Sequence, residues 1–349
     1  MKFSNLLVQW YLQNKRDLPW RNTQNPYLIW LSEIMLQQTR VAQGLPYFIA
    51  FTNAFPTVFD LANASEQEVL KLWQGLGYYS RARNLHKTAQ HVAFELKGVF
   101  PGNYSELLQL KGVGDYTAAA IASFCYNEKV PVVDGNVFRV LSRYFEVETD
   151  ISLQSTKKEF QNLAFELIEN ESPALFNQAI MEFGALQCVP KSPNCLDCVM
   201  NNSCLALQKK KVNLLPLKSK KTKVTQRYFN YLILEDELQN TIINKRTEKG
   251  IWHNLYQFPL IETQADENLE TILLKMEQEA PFKNKVVTLS ELNTDTIIHK
   301  LSHQHLHIKF WKVIVSGTLI NGISKEKALE FPFPIVIYNF IENDFFEVI

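Results

Sequence analysis

The chain has 349 residues and balances 36 Lys and Arg against 36 Asp and Glu, so its formal net charge is zero. That length leaves room for two domains with a core each, and the charge balance excludes binding to nucleic acid by bulk charge alone, so any such contact must come from placed residues. No apolar run reaches the ~20 residues of a membrane span, and Met1 to Trp20 lacks the apolar stretch and cleavage site of a signal peptide. A cytoplasmic protein is therefore expected, in which five cysteines point to metal ligands or free thiols rather than a disulfide frame.

Residues 1–205 read as helical. Amphipathic runs recur at Leu28–Phe48, Glu66–Leu72, Asn84–Phe94, Thr117–Phe124, Val137–Phe145 and Lys157–Ile168. Breaks fall at Gly75 to Gly77, Pro101–Gly102, Gly112 to Gly114, Pro131 and Pro173. The one concentrated basic stretch holds Lys209, Lys210, Lys211, Lys218, Lys220, Lys221 and Lys223. It reads first as a solvated linker and second as a segment near DNA. Beyond it the period changes. Tyr228–Leu234 and Thr241–Asn244 read as strands, Leu269–Glu279 as a helix, and Ile297–Val315 alternates like a hairpin. The expected organisation is a mainly α domain over 1–208, a linker over 209–224 and an α+β domain over 225–349.

Several positions carry chemistry. Glu33 sits among Ile29, Trp30, Leu31, Ile34, Met35 and Leu36, and an apolar setting raises a carboxyl pKa. Leu110-Lys111-Gly112-Val113-Gly114 joins two helical stretches; its glycines allow a tight turn, and the helix that follows aims free N–H groups at an anion such as a DNA phosphate. Asp134 follows the apolar run Val130–Val133 and opens a helix, where it reads as an N-cap. Cys188, Cys195, Cys198 and Cys204 lie within 17 residues, spaced C-x6-C-x2-C-x5-C. Four thiolates suit an iron–sulfur cubane or a tetrahedral zinc, and the compact loop favours the cluster. Cys125 reads as a core residue.

With the cysteine loop following the glycine hairpin, residues 1–205 resemble the helix-hairpin-helix, iron–sulfur DNA glycosylases of the endonuclease III superfamily. Trp-Leu-Ser-Glu-Ile-Met-Leu-Gln-Gln-Thr-Arg at 30–40 is similar to the adenine-specific members of the MutY type, as are Gln-Gly-Leu-Gly-Tyr-Tyr-Ser-Arg-Ala-Arg at 74–83 and the stretch around Val-Asp-Gly-Asn at 133–136. That family also carries a Nudix-like C-terminal domain, so the resemblance spans essentially the whole chain.

The resemblance implies removal of adenine mispaired with 8-oxoguanine or guanine in double-stranded DNA, by a monomer at the nucleoid of a bacterial cytoplasm. It implies a 4Fe-4S cluster on Cys188, Cys195, Cys198 and Cys204. Glu33 becomes the acid that protonates adenine, Asp134 the carboxylate facing the sugar cation, and Asn136 its hydrogen-bonding neighbour. Bifunctional relatives carry a Schiff-base lysine two residues after the second hairpin glycine; here that position is Tyr116, so hydrolysis without strand cleavage is expected. Gly112 and Gly114 hold phosphate. Trp20, Arg21, Leu36 and Gln178 line the adenine side, Gln38 and Tyr78 wedge beside 8-oxoguanine, and Ser302 and His303 hydrogen-bond it. Leu301 departs from the family's aromatic residue, which removes the basis for stacking there. His303, His305 and His307 are expected on one face of a strand, but with no Cys or carboxylate nearby in that stretch a metal there is disfavoured. The alternative activity is that of an endonuclease III-like pyrimidine glycosylase/lyase. A nucleotide hydrolase is disfavoured because Leu269–Glu279 lacks the R-E-x2-E-E metal helix of Nudix enzymes.

Overall fold

The computed structural model describes residues 2–168, 172–219, 223–278, 286–293 and 295–342. Its contacts divide the chain into two compact units, residues 1–63 with 84–220 and residues 64–83 with 221–349. The second unit therefore reaches back into the helical half for 20 residues that no change of composition marks.

The first unit is helical. Pro26–Leu36 is its central helix, capped by the Asn25 side chain, and nearly every residue of it is buried. Asp115–Tyr126 packs against it and is buried from Thr117 to Phe124, four of those residues being alanines. Pro173–Leu186 packs on Phe3–Asn14, Gly135–Phe145 and Asp115–Tyr126. Its crossing with Gly135–Phe145 is tight at Gly184, where an added Cβ would stand 2.7 Å from the Asn136 Cβ.

The expected single helix Leu28–Phe48 is two helices, Pro26–Leu36 and Val41–Ala54. Between them Gln38 adopts the left-handed region at φ 56°. No Gly or Pro stands at the break, so local chemistry did not announce it. The run Asn84–Phe94 is helical from Ser80 to Gln90 and passes into a π-turn at His91–Glu95. The Lys-rich stretch is tied down as far as residue 219: Lys209 and Lys211 pair with Glu146, Lys211 with Glu148, and Ser219 with Asp150. Lys220 and Lys221 lie outside the described residues.

The second unit is built on a mixed sheet. Its strands are β1 Thr225–Glu235, β2 Asn244–Lys245, β3 Tyr256–Gln257, β4 Leu260–Thr263, β5 Val286–Glu291, β6 Ile297–Lys300 and β7 Gln304–Val315. In the main sheet β1 lies parallel to β7 and antiparallel to β4, while β5 and β6 both pair antiparallel with β7. Residues 229–234 of β1 are all buried, as befits a central strand covered on both faces. Leu232, Leu234, Trp311 and Val313 meet Ile272 and Met276 of helix Leu269–Gln278 on one face. On the other, Tyr231 stacks on Phe310 at 5.6 Å and Phe310 on Phe340 at 3.8 Å, bringing in helix Ile335–Phe340. Glu279, the expected end of the first of these helices, lies outside the described residues. Thr241–Asn244 is not a strand: Thr241 makes a single bridge to Ile323, and pairing starts at Asn244. The Ile297–Val315 hairpin is present, with Ser302 and His303 at its tip.

Among the described residues no helix is long and apolar enough to cross a membrane.

Candidate active site

Glu33 is 7% exposed. Burial pushes its carboxyl up to about 7, the Asp134 carboxylate adds to the rise, and a hydrogen bond from Tyr116 and the charge of Arg21 oppose it. A carboxyl with a pKa near neutrality keeps a donatable proton at the pH of a cell. Tyr116 is half-buried; its hydroxyl also reaches Met181 Sδ at 3.1 Å, and desolvation together with Glu33 and Asp134 raises its pKa well above the usual value.

Asp134 caps helix Gly135–Phe145. One of its oxygens accepts the Asn136 N–H at 2.9 Å and the Val137 N–H at 2.8 Å; the other accepts the Asn136 Nδ2–H at 2.8 Å. Burial raises the Asp134 pKa, while these three bonds favour the charged form. The capping role and the catalytic role expected of this residue coexist, because the cap fixes the direction of the carboxylate. The extended stretch before it is held by Asn177, which accepts the Val132 N–H at 3.1 Å and donates to the Val130 carbonyl at 2.8 Å.

Glu33, Tyr116, Asp134 and Asn136 line one cleft of about 610 Å³ with Trp20, Arg21, Leu36 and Gln178. Trp20 is locked edge-on against Phe48 at 5.0 Å. Gln178 accepts the Tyr11 hydroxyl at 2.6 Å on its carbonyl oxygen, so the amide N–H groups are what it offers to the cleft. Arg21 forks onto Glu182 at 2.8 and 2.6 Å, and Arg16 joins the same carboxylate at 2.9 and 2.6 Å. Burial pushes the Glu182 carboxyl up, but the two guanidiniums outweigh it and hold it at about 2. Glu182 and Arg16 escaped the sequence reading. The signal was present: Glu182 is a lone acid among Ala179, Ile180 and Phe183, the same anomaly that marks Glu33.

The cleft continues past Leu36 and Gln38 to Gly114 and Lys157. Gly112 needs its left-handed φ of 78°, and a Cβ there would meet the Asn84 Cβ at 2.8 Å. Gly114 is the N-cap of Asp115–Tyr126 and has no side chain to occupy the first-turn N–H groups, which leaves them for an anion. Lys157 stands beside this end, paired with Asp115.

Cys188, Cys195, Cys198 and Cys204 line a single cavity with Arg143 and Met200. Burial pushes the Cys198 thiol up to about 11, and the other three sulfurs add to the rise. Arg143 donates to Cys188 Sγ at 3.4 Å, to the carbonyls of Val189 and Pro190 at 2.8 and 3.0 Å, and to that of Leu215 at 3.1 Å. Among the described residues no three His, Cys, Asp or Glu side chains gather closely enough for one metal ion; the histidines of the 303–307 stretch are included in that. His303 lies in the turn, and His307 stacks on Tyr228 at 4.6 Å. Cys125 is partly buried, and its thiol is pushed up to about 12 by burial.

Tyr78, Ser302 and His303 belong to the second unit. Tyr78 is 46% exposed. Ser302 Oγ and His303 Nδ1 lie 3.2 Å apart at the exposed hairpin tip.

Residues 31–168 match the HhH-GPD superfamily of base excision DNA repair proteins, and residues 230–343 match the NUDIX domain family. A thermostable thymine-DNA glycosylase structure superposes with a TM-score of 0.55 at 30% identity, covering 59% of this chain and 95% of that one. The adenine DNA glycosylase of Homo sapiens is 44% identical over 216 residues, 59% of this chain and 40% of that protein. The adenine DNA glycosylase of Buchnera aphidicola subsp. Acyrthosiphon pisum is 36% identical over 308 residues, 88% of this chain and 85% of that protein. With an HhH-GPD match over 31–168, a NUDIX match over 230–343 and this likeness along most of its length, the chain belongs to the adenine DNA glycosylases, enzymes of base excision repair that hydrolyse N-glycosidic bonds.

Proposed function

We propose that the chain excises adenine from A·8-oxoguanine and A·G mispairs in duplex DNA by hydrolysis alone, leaving the strand intact. The observation that carries this reading is that Glu33 and Asp134 line one cleft, with burial favouring the proton on Glu33 and three hydrogen bonds from Asn136 and Val137 favouring charge on Asp134 against its own burial. The flipped adenine enters between Trp20, Leu36 and Gln178. Glu33 gives its proton to the ring as the bond from nitrogen to C1′ breaks. Asp134, steadied by Asn136 and the helix N-terminus, faces the sugar cation. Water then adds to C1′, and its proton returns to Glu33. The two-carboxylate division of labour is that of glycoside hydrolysis.

No lysine stands at residue 116, and Lys157, the amine in the cleft, is paired with Asp115. Gly112 and Gly114 take a phosphate, Gln38 and Tyr78 enter the duplex beside 8-oxoguanine, and Ser302 and His303 bond its edge. The enzyme works as a monomer at the nucleoid of a bacterial cytoplasm.

The four cysteines are proposed to hold a 4Fe-4S cluster. A cubane spreads its cysteine sulfurs over four irons, farther apart than the donors of one zinc ion. Four thiols lining one cavity would hold such a cluster. Bound there, the cluster supplies a fixed shape to the 188–204 loop rather than acid–base chemistry.

The test is a strand-nicking assay on A·8-oxoguanine and A·G duplexes with and without alkali. Cleavage only after alkali is the expected result; cleavage without it would replace this reading with the glycosylase/lyase one.

A further inference from the structure

The 74–79 loop is left-handed at three of the four residues from 75 to 78: Gly75 at φ 97°, Gly77 at 77° and Tyr78 at 49°. A bulky residue keeps such a conformation only where its surroundings over-determine it. Two sets of contacts do so here. Within the segment, Trp73 donates to the Gly77 carbonyl at 3.0 Å, and Arg81 donates to the same oxygen at 3.2 Å while lying 5.3 Å from the Tyr78 ring centre.

The second set comes from residues 329–333, some 250 positions away. The Phe333 N–H donates to Gln74 Oε1 at 2.9 Å. The Tyr79 hydroxyl accepts the Gly75 N–H at 3.3 Å and donates to the Phe333 carbonyl at 3.3 Å. The Lys71 ammonium donates to the carbonyls of Leu329 at 2.6 Å and Phe331 at 3.3 Å. The loop is thus held on both sides of Tyr78 by backbone of the Nudix-like domain.

We infer that residues 329–333 are a positioning clamp for Tyr78, through which the C-terminal domain governs opposite-base selectivity independently of Ser302 and His303. This rests on the proposed entry of Tyr78 into the duplex beside 8-oxoguanine. Lys71, Gln74 and Tyr79 are positioning residues that act through Tyr78. An aromatic wedge already fixed in direction loses less freedom on binding than a loose one.

The test uses full-length, cluster-loaded protein. Tyr79→Phe, Gln74→Leu and Lys71→Met are each made alone, with Tyr78→Ala, and with Ser302→Ala plus His303→Ala. Single-turnover excision is compared on A·8-oxoguanine and A·G, with thermal melts to verify folding. Tyr79→Phe removes one oxygen and keeps the test alive should Lys71→Met not fold. Each variant is expected to lower the 8-oxoguanine preference about three- to tenfold, to have no effect on that preference when Tyr78 is already Ala, and to keep its effect when Ser302 and His303 are Ala. An unchanged preference, or an equal loss in the Tyr78→Ala background, overturns the clamp. Wild-type preference in Tyr78→Ala alone overturns the entry of Tyr78 itself, and the clamp falls with it.

Discussion

The Arg139 guanidinium donates to the Asn136 carboxamide oxygen at 2.8 Å. It also donates to the Gly184 carbonyl at 2.6 Å and the Cys188 carbonyl at 2.7 Å. Asn136 in turn holds Asp134, so the Asp134 carboxylate is tied through two side chains to the first cysteine of the loop. Arg139→Met keeps the stem and removes these bonds. Hydrogen bonds from a charged group contribute about 1.5–3 kcal/mol each, so excision should slow by roughly tenfold to a hundredfold, and iron per protein should fall. Rate and iron content measured on one preparation decide it: both at the wild-type level would mean that the tether is dispensable.

Glu33→Gln should abolish base release and leave duplex affinity largely intact, since the amide keeps the shape and lacks the proton. The same change should stabilise the fold. Glu33 is raised from 4.5 to about 7, so between those pH values the folded protein holds a proton that the unfolded chain releases. Stability therefore falls as pH rises through that window, and the full cost, on the order of 3 kcal/mol, is present above about 7. Melts at pH 8 should favour Glu33→Gln, and melts at pH 4 should not. In the parent enzyme, single-turnover excision should decline as pH rises through about 7.

The parts of the site legible from sequence were those with a local physical anomaly: an acid in an apolar helix at Glu33, a cap position at Asp134, glycines at a helix start, four clustered cysteines. What stayed hidden depends on chain-distant partners. Glu182 is recognisable as an ion-pair centre only once Arg16 and Arg21 are seen to converge on it. The turn at 37–40 carries no breaker residue; beside the left-handed Gln38 the Gln37 amide donates to Thr117 Oγ1 at 3.1 Å and the Thr39 N–H to the Leu36 carbonyl at 3.1 Å, the first of them a bond to a residue 80 positions on. The membership of 64–83 in the second unit is set by contacts with backbone carbonyls such as that of Leu329, which leave no mark on composition.

Tyr116→Lys should add strand cleavage. The site is half-buried beside Glu33 and Asp134. Burial depresses a lysine pKa and so frees the amine to attack C1′, while the two carboxylates oppose that shift. Borohydride trapping of a protein–DNA adduct is the measurement. Its absence would leave the hydrolytic reading intact and show that position alone does not activate an amine here.

Cys198→Ser should weaken the brown absorbance and the affinity for DNA together, because the 188–204 loop has few apolar residues of its own and depends on its ligand for shape. Purified parent protein containing zinc and no iron would remove the cluster from this account.

Removal of residues 225–349 should leave an enzyme that still excises adenine but reads the opposite base poorly. Glu33, Asp134, the glycine hairpin and the cysteine loop all precede the cut. The lost parts are of two kinds: Ser302 and His303, and the backbone of 329–333 that holds the Tyr78 loop. A specific base contact is typically worth about 1–3 kcal/mol, so Ser302→Ala with His303→Ala should reduce the preference for 8-oxoguanine over guanine roughly tenfold or more. If those two residues were the domain's whole contribution, truncation and the double substitution would match. Truncation is expected to cost more, because it also releases Tyr78. Restoring part of the difference is beyond any change at 302 or 303, but Tyr78→Ala combined with the double substitution should approach the truncated enzyme. Should truncation leave the A·8-oxoguanine to A·G ratio at the parent value, lesion reading would lie within residues 1–224, with Gln38 and Tyr78 the residues to examine.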